Sequence, residues 1–347
     1  MGSAVVVGAG VGGLSTAVGL RRAGWTVRVL ERWPAVVGSG AALGLWPEAS
    51  RGLESLGLTD LVAESVPVNG AAVYRSDGRA LLHVPDGSRR IPAVRLISRR
   101  RLMELLVGLA ADVDVRTGVA ADAATLHAAL DEADVLIGAD GLRSDVRRVF
   151  FGERTAPRYS GLVAWRGAVD FASGQYGETW GDGTLFGNTP MAGGRTNFYA
   201  ALRTSPDDNR GLAGLRSYFA RWRSPIPEIL AAAREDELLR NPVYDLHPPL
   251  RSLVAGRVAL VGDAAHAMTP HLGRGACEAI LDATSLVEQL VTSPDVEAAL
   301  ARYDAARRRA GQQIAARSRR TGRITHTTGV GAALRNGMLR GAGLLVR

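Results

Sequence analysis

Gly8-Ala9-Gly10-Val11-Gly12-Gly13 follows the β-branched run "AVVV" and opens into the apolar pattern "LSTAVGLRRAG". Glycines at these spacings suit a loop that wraps a pyrophosphate. Gly8 permits a tight turn, Gly10 removes a side chain where the backbone must approach the phosphates, and Gly13 lets the helix pack closely on the strand. Gly12 completes the loop, and the helix start that it enters offers unpaired N–H donors to the anion. Glu31 closes the following strand, eighteen residues after Gly13, where a carboxylate can accept hydrogen bonds from both ribose hydroxyls. An isolated GxGxxG is weak evidence. Strand, loop, helix, second strand and terminal acid in this order predict a dinucleotide site. Glu31 favours an unphosphorylated ribose, as in FAD or NAD, although Arg32 beside it points the other way.

A second stretch, "VALVGDAAHAMTPHLGRGACEAI" at 258–280, repeats the theme of strand, Gly-Asp turn and glycine-rich helix start. A dissociable NAD leaves it without a task, whereas an extended FAD supplies one. With its adenine half on the first loop, the ribityl chain and the flavin ring must be held elsewhere. Asp263, after Gly262, can accept a hydrogen bond from a ribityl hydroxyl. Pro270, His271 and Gly273 then lead through Arg274 to Gly275 and Ala276 at a helix N-terminus, whose positive end suits the pyrimidine edge where negative charge collects on reduction. These residues are the candidates to hold FAD here, and Pro270, His271 and Gly273 those for direct action at the ring. His266 is either a base or a turn-ordering residue. His271 faces either the flavin or solvent, and Cys277 is either a small buried filler or a nucleophile.

The elements that must position these groups follow from hydrophobic period. Short runs at 4–7, 26–30, 113–117, 134–140 and 257–263, several followed by helix-compatible segments, predict an α/β fold with a mostly parallel, Rossmann-like sheet. Between 158 and 250 the texture shifts to Gly, Pro, Thr and aromatics. "GLVAWRGAV" and "RTNFYAALR" read as strands of a second, mainly antiparallel lobe, with helices at 214–222 and 227–239. The expected organisation is a discontinuous dinucleotide domain of 1–65, 98–157 and 251–290, a substrate lobe of 66–97 and 158–250, and C-terminal helices over 291–347. The helical pattern runs to about residue 320, and a shorter helix or frayed tail follows.

Composition bounds the function. With 46% apolar and 22% charged residues over 347 positions, the chain can bury a large core. Cys277 is the only cysteine, which excludes an internal disulfide, a CxxC redox pair and a multi-cysteine metal site. No metal ligand set is expected. The net charge of +8 is local: eleven arginines after residue 301 face Asp304 alone. Because all 42 basic residues are arginine and no nucleic-acid motif is present, the basic helices read as solvated and no nucleic acid is expected as partner. No signal peptide or membrane span is read, and the expectation is a cytoplasmic monomer or homodimer.

Three motifs in order carry a resemblance over nearly the whole chain: GxGxxG with Glu31, Asp140-Gly141 within "VLIGADGLRSDVRR", and Gly262-Asp263 with its "GDAAHxMxPxxGxGA" continuation. The chain resembles the FAD-dependent aromatic hydroxylase family, the single-component (group A) flavoprotein monooxygenases. "ISRRRLMELL" is similar to the family segment that places an arginine, here Arg99, near the FAD, and "YSGLVAWRGAV" is similar to salicylate-hydroxylase-like members. The resemblance implies that NADH or NADPH reduces FAD, that O2 adds at the flavin C4a position, and that the hydroperoxide delivers OH to an aromatic or polycyclic small molecule by hydroxylation or epoxidation. It also implies that Asp140 serves both nucleotides and orders its region together with Arg143. Departures from the family pattern are Arg274 for a common Gln, Cys277 for a frequent Asn, Glu48 for a frequent Asn, and a shortened segment at 117–133.

Substrate residues are sought on the second lobe. Trp165, Phe186, Phe198 and Tyr199 can line an aromatic pocket or fill core, and Arg166 and Asn188 can orient a substrate or make ordinary hydrogen bonds. Two other functions remain open: an FAD-dependent reductase or oxidase of the same fold, similar to geranylgeranyl reductases, and a non-catalytic flavin-binding protein.

Overall fold

The computed structural model describes residues 2–36, 38, 41–59, 64–85, 88, 92–152 and 155–346, with 342–346 described for the backbone alone. Its first layer is a six-stranded sheet in the order β15-β16-β9-β1-β2-β8. The strands are β1 (Ser3–Val7), β2 (Thr26–Glu31), β8 (Asp114–Thr117), β9 (Val135–Gly138), β15 (Val254–Ala255) and β16 (Val258–Leu260). Every pairing is parallel except β15 with β16. β1 and β9 are buried on both faces, and this is why they read as unbroken apolar runs.

Helices α1 (Val11–Arg22), α2 (Pro47–Ser55), α3 (Arg99–Leu109), α4 (Ala123–Asp131), α5 (Asp145–Phe151), α8 (Asp263–His266), α9 (Gly275–Thr292) and α10 (Val296–Thr325) flank this sheet. α1 and α9 meet so closely that a Cβ at Gly19 would lie 2.8 Å from Val287. The two glycine-rich loops are thereby held by helices that pack on each other.

The second layer is a seven-stranded sheet, β14-β10-β13-β12-β11-β5-β6. It comprises β5 (Ala71–Arg75), β6 (Ala80–Val84), β10 (Arg158–Val169), β11 (Gly177–Trp180), β12 (Thr184–Pro190), β13 (Thr196–Arg203) and β14 (Leu239–Asp245), antiparallel except between β5 and β11. α6 (Leu212–Phe219) and α7 (Ile226–Ala232) cover one face, and α11 (Gly329–Val346) packs at β6 and on the other. A small antiparallel sheet, β3 (Ala42–Leu45), β7 (Val94–Ser98) and β4 (Val66–Val68), lies at the join.

Three expectations need revision. The segment 66–97 divides between two sheets, because β4 and β7 pair with β3 while β5 and β6 extend the large sheet. The helix expected over 227–239 stops at Ala232, since Leu239 onward pairs with β10, and ladder pairing overrides local helix preference. The arginine-rich helices are not uniformly solvated. Arg307, Arg319 and Arg335 turn inward onto acceptors, which a count of charge along the chain does not reveal.

Candidate functional site

The strand-to-helix turn after β1 forms one wall of a cavity of about 760 Å³ that also meets Glu31, Arg32, Arg99, Asp140 and Gly141. Its glycines divide by cause. Gly8 has φ +103°, and a Cβ there would sit 2.5 Å from the Ala139 carbonyl oxygen. A Cβ on Gly13 would meet the Gly8 oxygen at 1.9 Å. Both positions are closed by the protein itself. At Gly10 a Cβ meets no atom of the described residues within 4 Å, so the requirement for glycine comes from what fills the cavity. Gly10 caps α1 without a side-chain acceptor, and no acidic residue occupies the first turn, leaving the N–H groups there free for an anion.

Glu31 accepts from the Ala9 amide at 2.7 Å and from the Trp33 amide at 3.0 Å. A carboxylate has about four acceptor positions, so two remain for hydroxyl donors. Arg32 faces the same cavity, 3.5 Å from the Asp140 carbonyl oxygen.

Asp140 begins the second wall. Its Oδ2 accepts from the Asp145 and Val146 amides at 2.7 and 3.1 Å, and Ser144 Oγ accepts from the Arg147 amide at 2.8 Å, so the first turn of α5 is satisfied. Oδ1 is buried with no hydrogen-bond partner among the described residues, as expected of an atom reserved for a bound donor. Burial pushes the carboxyl pKa up, and the hydrogen bonds at this turn oppose the rise. The arginine that orders the region is Arg147 and not Arg143. Almost fully buried, Arg147 donates to the carbonyls of Leu142 at 2.6 Å, Thr155 at 3.0 Å and Ala264 at 2.9 Å, tying the Asp140 loop to the Asp263 loop. Sequence reasoning passed over it. Its signal was an arginine three residues past a Ser N-cap, on the side of a helix that turns inward.

Gly262 adopts φ 62° and leads into α8, leaving the Asp263 side chain exposed. A Cβ on Gly275 would lie 3.9 Å from Asp263 Oδ1, so the second glycine turn and the uncapped start of α9 converge. Pro270 and Leu272 bound a 3₁₀ turn, and Gly273 takes the left-handed conformation with open space beside it. Ala276 follows in the first turn of α9.

His266 and Asp282 lie behind this loop and are buried. Asp282 Oδ2 receives the Gly262 amide at 2.9 Å and His266 Nε2 at 2.6 Å, and Arg307 Nε donates to Oδ1 at 2.8 Å. Burial opposes a charged imidazole, but the Asp282 carboxylate outweighs it and the His266 pKa is raised. Burial likewise opposes the Asp282 carboxylate, and His266 with Arg307 outweighs that, lowering its pKa. His266 is therefore a turn-ordering residue.

Three of the departures from the family pattern, Arg274, Cys277 and Glu48, prove to be neighbours. Arg274 reaches Glu48 at 2.7 Å and Glu278 at 2.8 Å, and its guanidinium lies 5.1 Å over the Trp46 ring. Cys277 Sγ donates to the Gly44 carbonyl at 3.1 Å and receives the Trp46 amide at 3.5 Å. Burial pushes its thiol up to about 11, so it fills space and is no nucleophile. Iodoacetamide at neutral pH is expected to leave the native protein unlabelled and to label Cys277 fully after denaturation, as mass spectrometry will read directly.

The substrate candidates separate by strand alternation. Trp165 and Phe186 face α6 and α7 in core, with Trp165 Nε1 donating to the Arg210 carbonyl at 2.8 Å and Phe186 stacked on Phe198. Asn188, two residues beyond Phe186, is also buried and donates to Ser173 Oγ and the Gln175 carbonyl. These three and Phe198 are structural. Arg166 and Tyr199 are register partners on the opposite face. The Tyr199 hydroxyl is engaged by Glu178 at 2.9 Å. Arg166 has no hydrogen-bond partner among the described residues; burial lowers its pKa, Arg99 repels it and Asp263 attracts it. His271 does not line the 760 Å³ cavity, and neither do Asp263, Pro270, Gly273, Gly275 and Ala276. The His271 ring packs edge-on against His326 and against Gly322, in a smaller cavity toward α10. Burial and then His326 pull its pKa down to about 3.

A family model described as FAD binding domain matches residues 2–318. The chain belongs to the FAD-dependent aromatic hydroxylase family. It is 34% identical over 342 residues to the aurachin C monooxygenase/isomerase of Stigmatella aurantiaca, covering 92% of this chain and 88% of that protein. It is 35% identical over 347 residues to the 3-amino-4-hydroxybenzoate 2-monooxygenase of Streptomyces cremeus, covering 92% and 87%. The crystal structure of Klebsiella pneumoniae HpxO complexed with FAD and uric acid superposes with a TM-score of 0.85 at 27% identity, over 99% of this chain and 94% of that one. This hydroxylase is therefore an FAD-binding oxidoreductase, and no helix of its described residues is long and apolar enough to cross a membrane. Among those residues no cluster of His, Cys, Asp and Glu could hold a metal ion.

Proposed function

We propose that the hydroxylase inserts one atom of O2 into an electron-rich aromatic or polycyclic small molecule at the expense of NADH or NADPH. The balanced reaction consumes substrate, O2, NAD(P)H and a proton, and yields the oxygenated product, NAD(P)⁺ and water. The observation that carries this reading is the cavity itself: an open Gly10, free α1 amides, Glu31 with spare acceptor positions and an orphaned Asp140 Oδ1, all along one wall system of a family fold. Its volume is in the range of small-molecule and cofactor sites. Bound FAD supplies the two-electron and oxygen chemistry.

The protein's own residues bind and orient. Gly8, Gly12 and Gly13 shape the pyrophosphate turn, Gly10 gives clearance, Glu31 takes the ribose, and Arg32, Arg99 and Asp140 border the same space. Asp263 takes a ribityl hydroxyl. Pro270, Gly273, Gly275 and Ala276 present the start of α9 to the ring. His271, placed against α10, acts on the loop and not at the ring. Arg166 is the polar group left for the substrate, across from Asp263.

Arg166→Gln is expected to lower kcat/KM by about tenfold to a hundredfold, the loss of one charge-assisted hydrogen bond, with FAD affinity far less changed. Steady-state kinetics and an FAD titration on the same preparation separate the two. The overall test is to load FAD, offer urate, 3-amino-4-hydroxybenzoate and related aromatics, and follow NAD(P)H and O2 uptake with product mass. Substrate-stimulated uptake with one oxygen added supports the reading. Reduction of the substrate without O2 uptake replaces it with a reductase, and bound FAD that never turns over replaces it with a binding protein.

A further inference from the structure

A second cavity, of about 220 Å³, lies between the Pro270–Leu272 turn, α10 and the start of β10 in the large sheet. Its floor is built from His271 and His326. Both His271 ring nitrogens and His326 Nε2 are buried with no hydrogen-bond partner among the described residues, and His326 is 1% exposed. Buried polar atoms are satisfied in the great majority of cases, so three such atoms on two residues that line one hollow point to an occupant. The rim is cationic. Arg158, Arg203 and Arg323 line it, none has an acidic partner among the described residues, and Arg319 is already paired with Asp245.

The tautomer of His326 narrows the chemistry. Its Nδ1 lies 2.9 Å from the Gly183 carbonyl oxygen. A carbonyl only accepts, so Nδ1 carries the proton and Nε2 of the neutral ring is an acceptor. A fully deprotonated anion would set lone pair against lone pair there. We propose that this cavity is a binding site, separate from the FAD cavity, for a small oxyanion that also carries a hydroxyl: the rim arginines take the charge and His326 Nε2 accepts the hydroxyl proton. Hydrogen phosphate has this chemistry, as does a hydroxylated carboxylic acid. Because His271 belongs to the turn leading to α9, the occupant bears on that loop from a cavity that shares no lining residue with the FAD cavity.

The site is tested on FAD-saturated protein by isothermal titration with inorganic phosphate against sulfate, and with 3-hydroxybenzoate against benzoate. Each pair differs in the hydroxyl. At least one hydroxyl-bearing member is expected to bind saturably and about tenfold more tightly than its counterpart. Phosphate as the binder identifies a phosphoryl ligand, and hydroxybenzoate a hydroxylated acid. Arg158→Gln and Arg323→Gln, both exposed, are each expected to weaken that binding about tenfold at unchanged melting temperature. Saturable binding of neither member, equal binding of both members of each pair, or binding untouched by the arginine variants overturns the proposal. Arg32→Gln reads the other cavity separately: it is expected to change FAD affinity and leave the oxyanion affinity unaltered, so failure of the FAD reading and failure of this one are distinguishable.

Discussion

Gly13→Ala is expected to abolish FAD retention and lower the melting temperature of the FAD-free protein, whereas Gly10→Ala is expected to weaken FAD binding and leave that temperature where it was. A methyl on Gly13 would sit 1.9 Å from the Gly8 carbonyl oxygen; the methyl is fixed to its own Cα and the oxygen is backbone, so neither can swing aside. Relief requires α1 to move off β1, yet α1 is clamped from behind by α9 through the close contact at Gly19. Overpacking of flexible side chains costs about 1–3 kcal/mol, and a clash between backbone segments at the join of two elements belongs at or above the upper end. Displacing the start of α1 also moves the N–H groups that face the phosphates, so FAD affinity should fall at least about a hundredfold, or some 2.7 kcal/mol. At Gly10 the methyl meets no atom of the described residues, and the ligand is what it would crowd. Thermal melts without FAD and flavin titrations of both variants decide this. Equal melting temperatures for Gly13→Ala and wild type would refute the steric account.

Asp282→Asn is expected to destabilise the protein by about 3–5 kcal/mol in urea unfolding, the range for removing one partner of a buried ion pair. Asp282 is fully buried and serves three donors, the Gly262 amide, His266 and Arg307. Asparagine retains one acceptor oxygen and turns an NH2 toward groups that donate. Arg307→Met should cost less, because Glu278 keeps Arg274 as a partner at 2.8 Å. The same group sets a pH signature. The lowered Asp282 pKa contributes stability above the ordinary carboxylate range, lost as pH falls through the folded value. The raised His266 pKa contributes below the ordinary imidazole value of about 6.5, lost as pH rises through its folded value. Wild-type stability attributable to the pair is therefore greatest from about pH 4 to 6.5, and Asp282→Asn should flatten the profile on both sides. A variant profile parallel to wild type would remove the ion pair from the account.

The proposed FAD cradle was legible because its constraints are local. Gly8, Gly13 and Glu31 sit within one strand-turn-helix-strand unit, where spacing alone brings them together, and the Gly262-Asp263 turn repeats the device. The sequence also identifies the strands of the second lobe. It does not say which face of each strand looks into the cleft. Alternation places Trp165 opposite to Arg166, but only the packing of α6 and α7 reveals that the tryptophan side is core.

By itself, then, the amino-acid sequence determined the α/β class, the glycine-rich loops proposed to hold FAD and the family, because backbone geometry over a few residues and hydrophobic period are written along the chain. The tertiary structure alone decided the partnerships between distant residues: Glu48 with Arg274, Arg147 across two loops, Arg307 on Asp282, and His271 beside His326. Those depend on how helices dock and on which buried charge or imidazole finds a complement there. Docking is settled by packing between surfaces that lie up to hundreds of residues apart, as with Glu48 and Arg274, and no short window of sequence carries it.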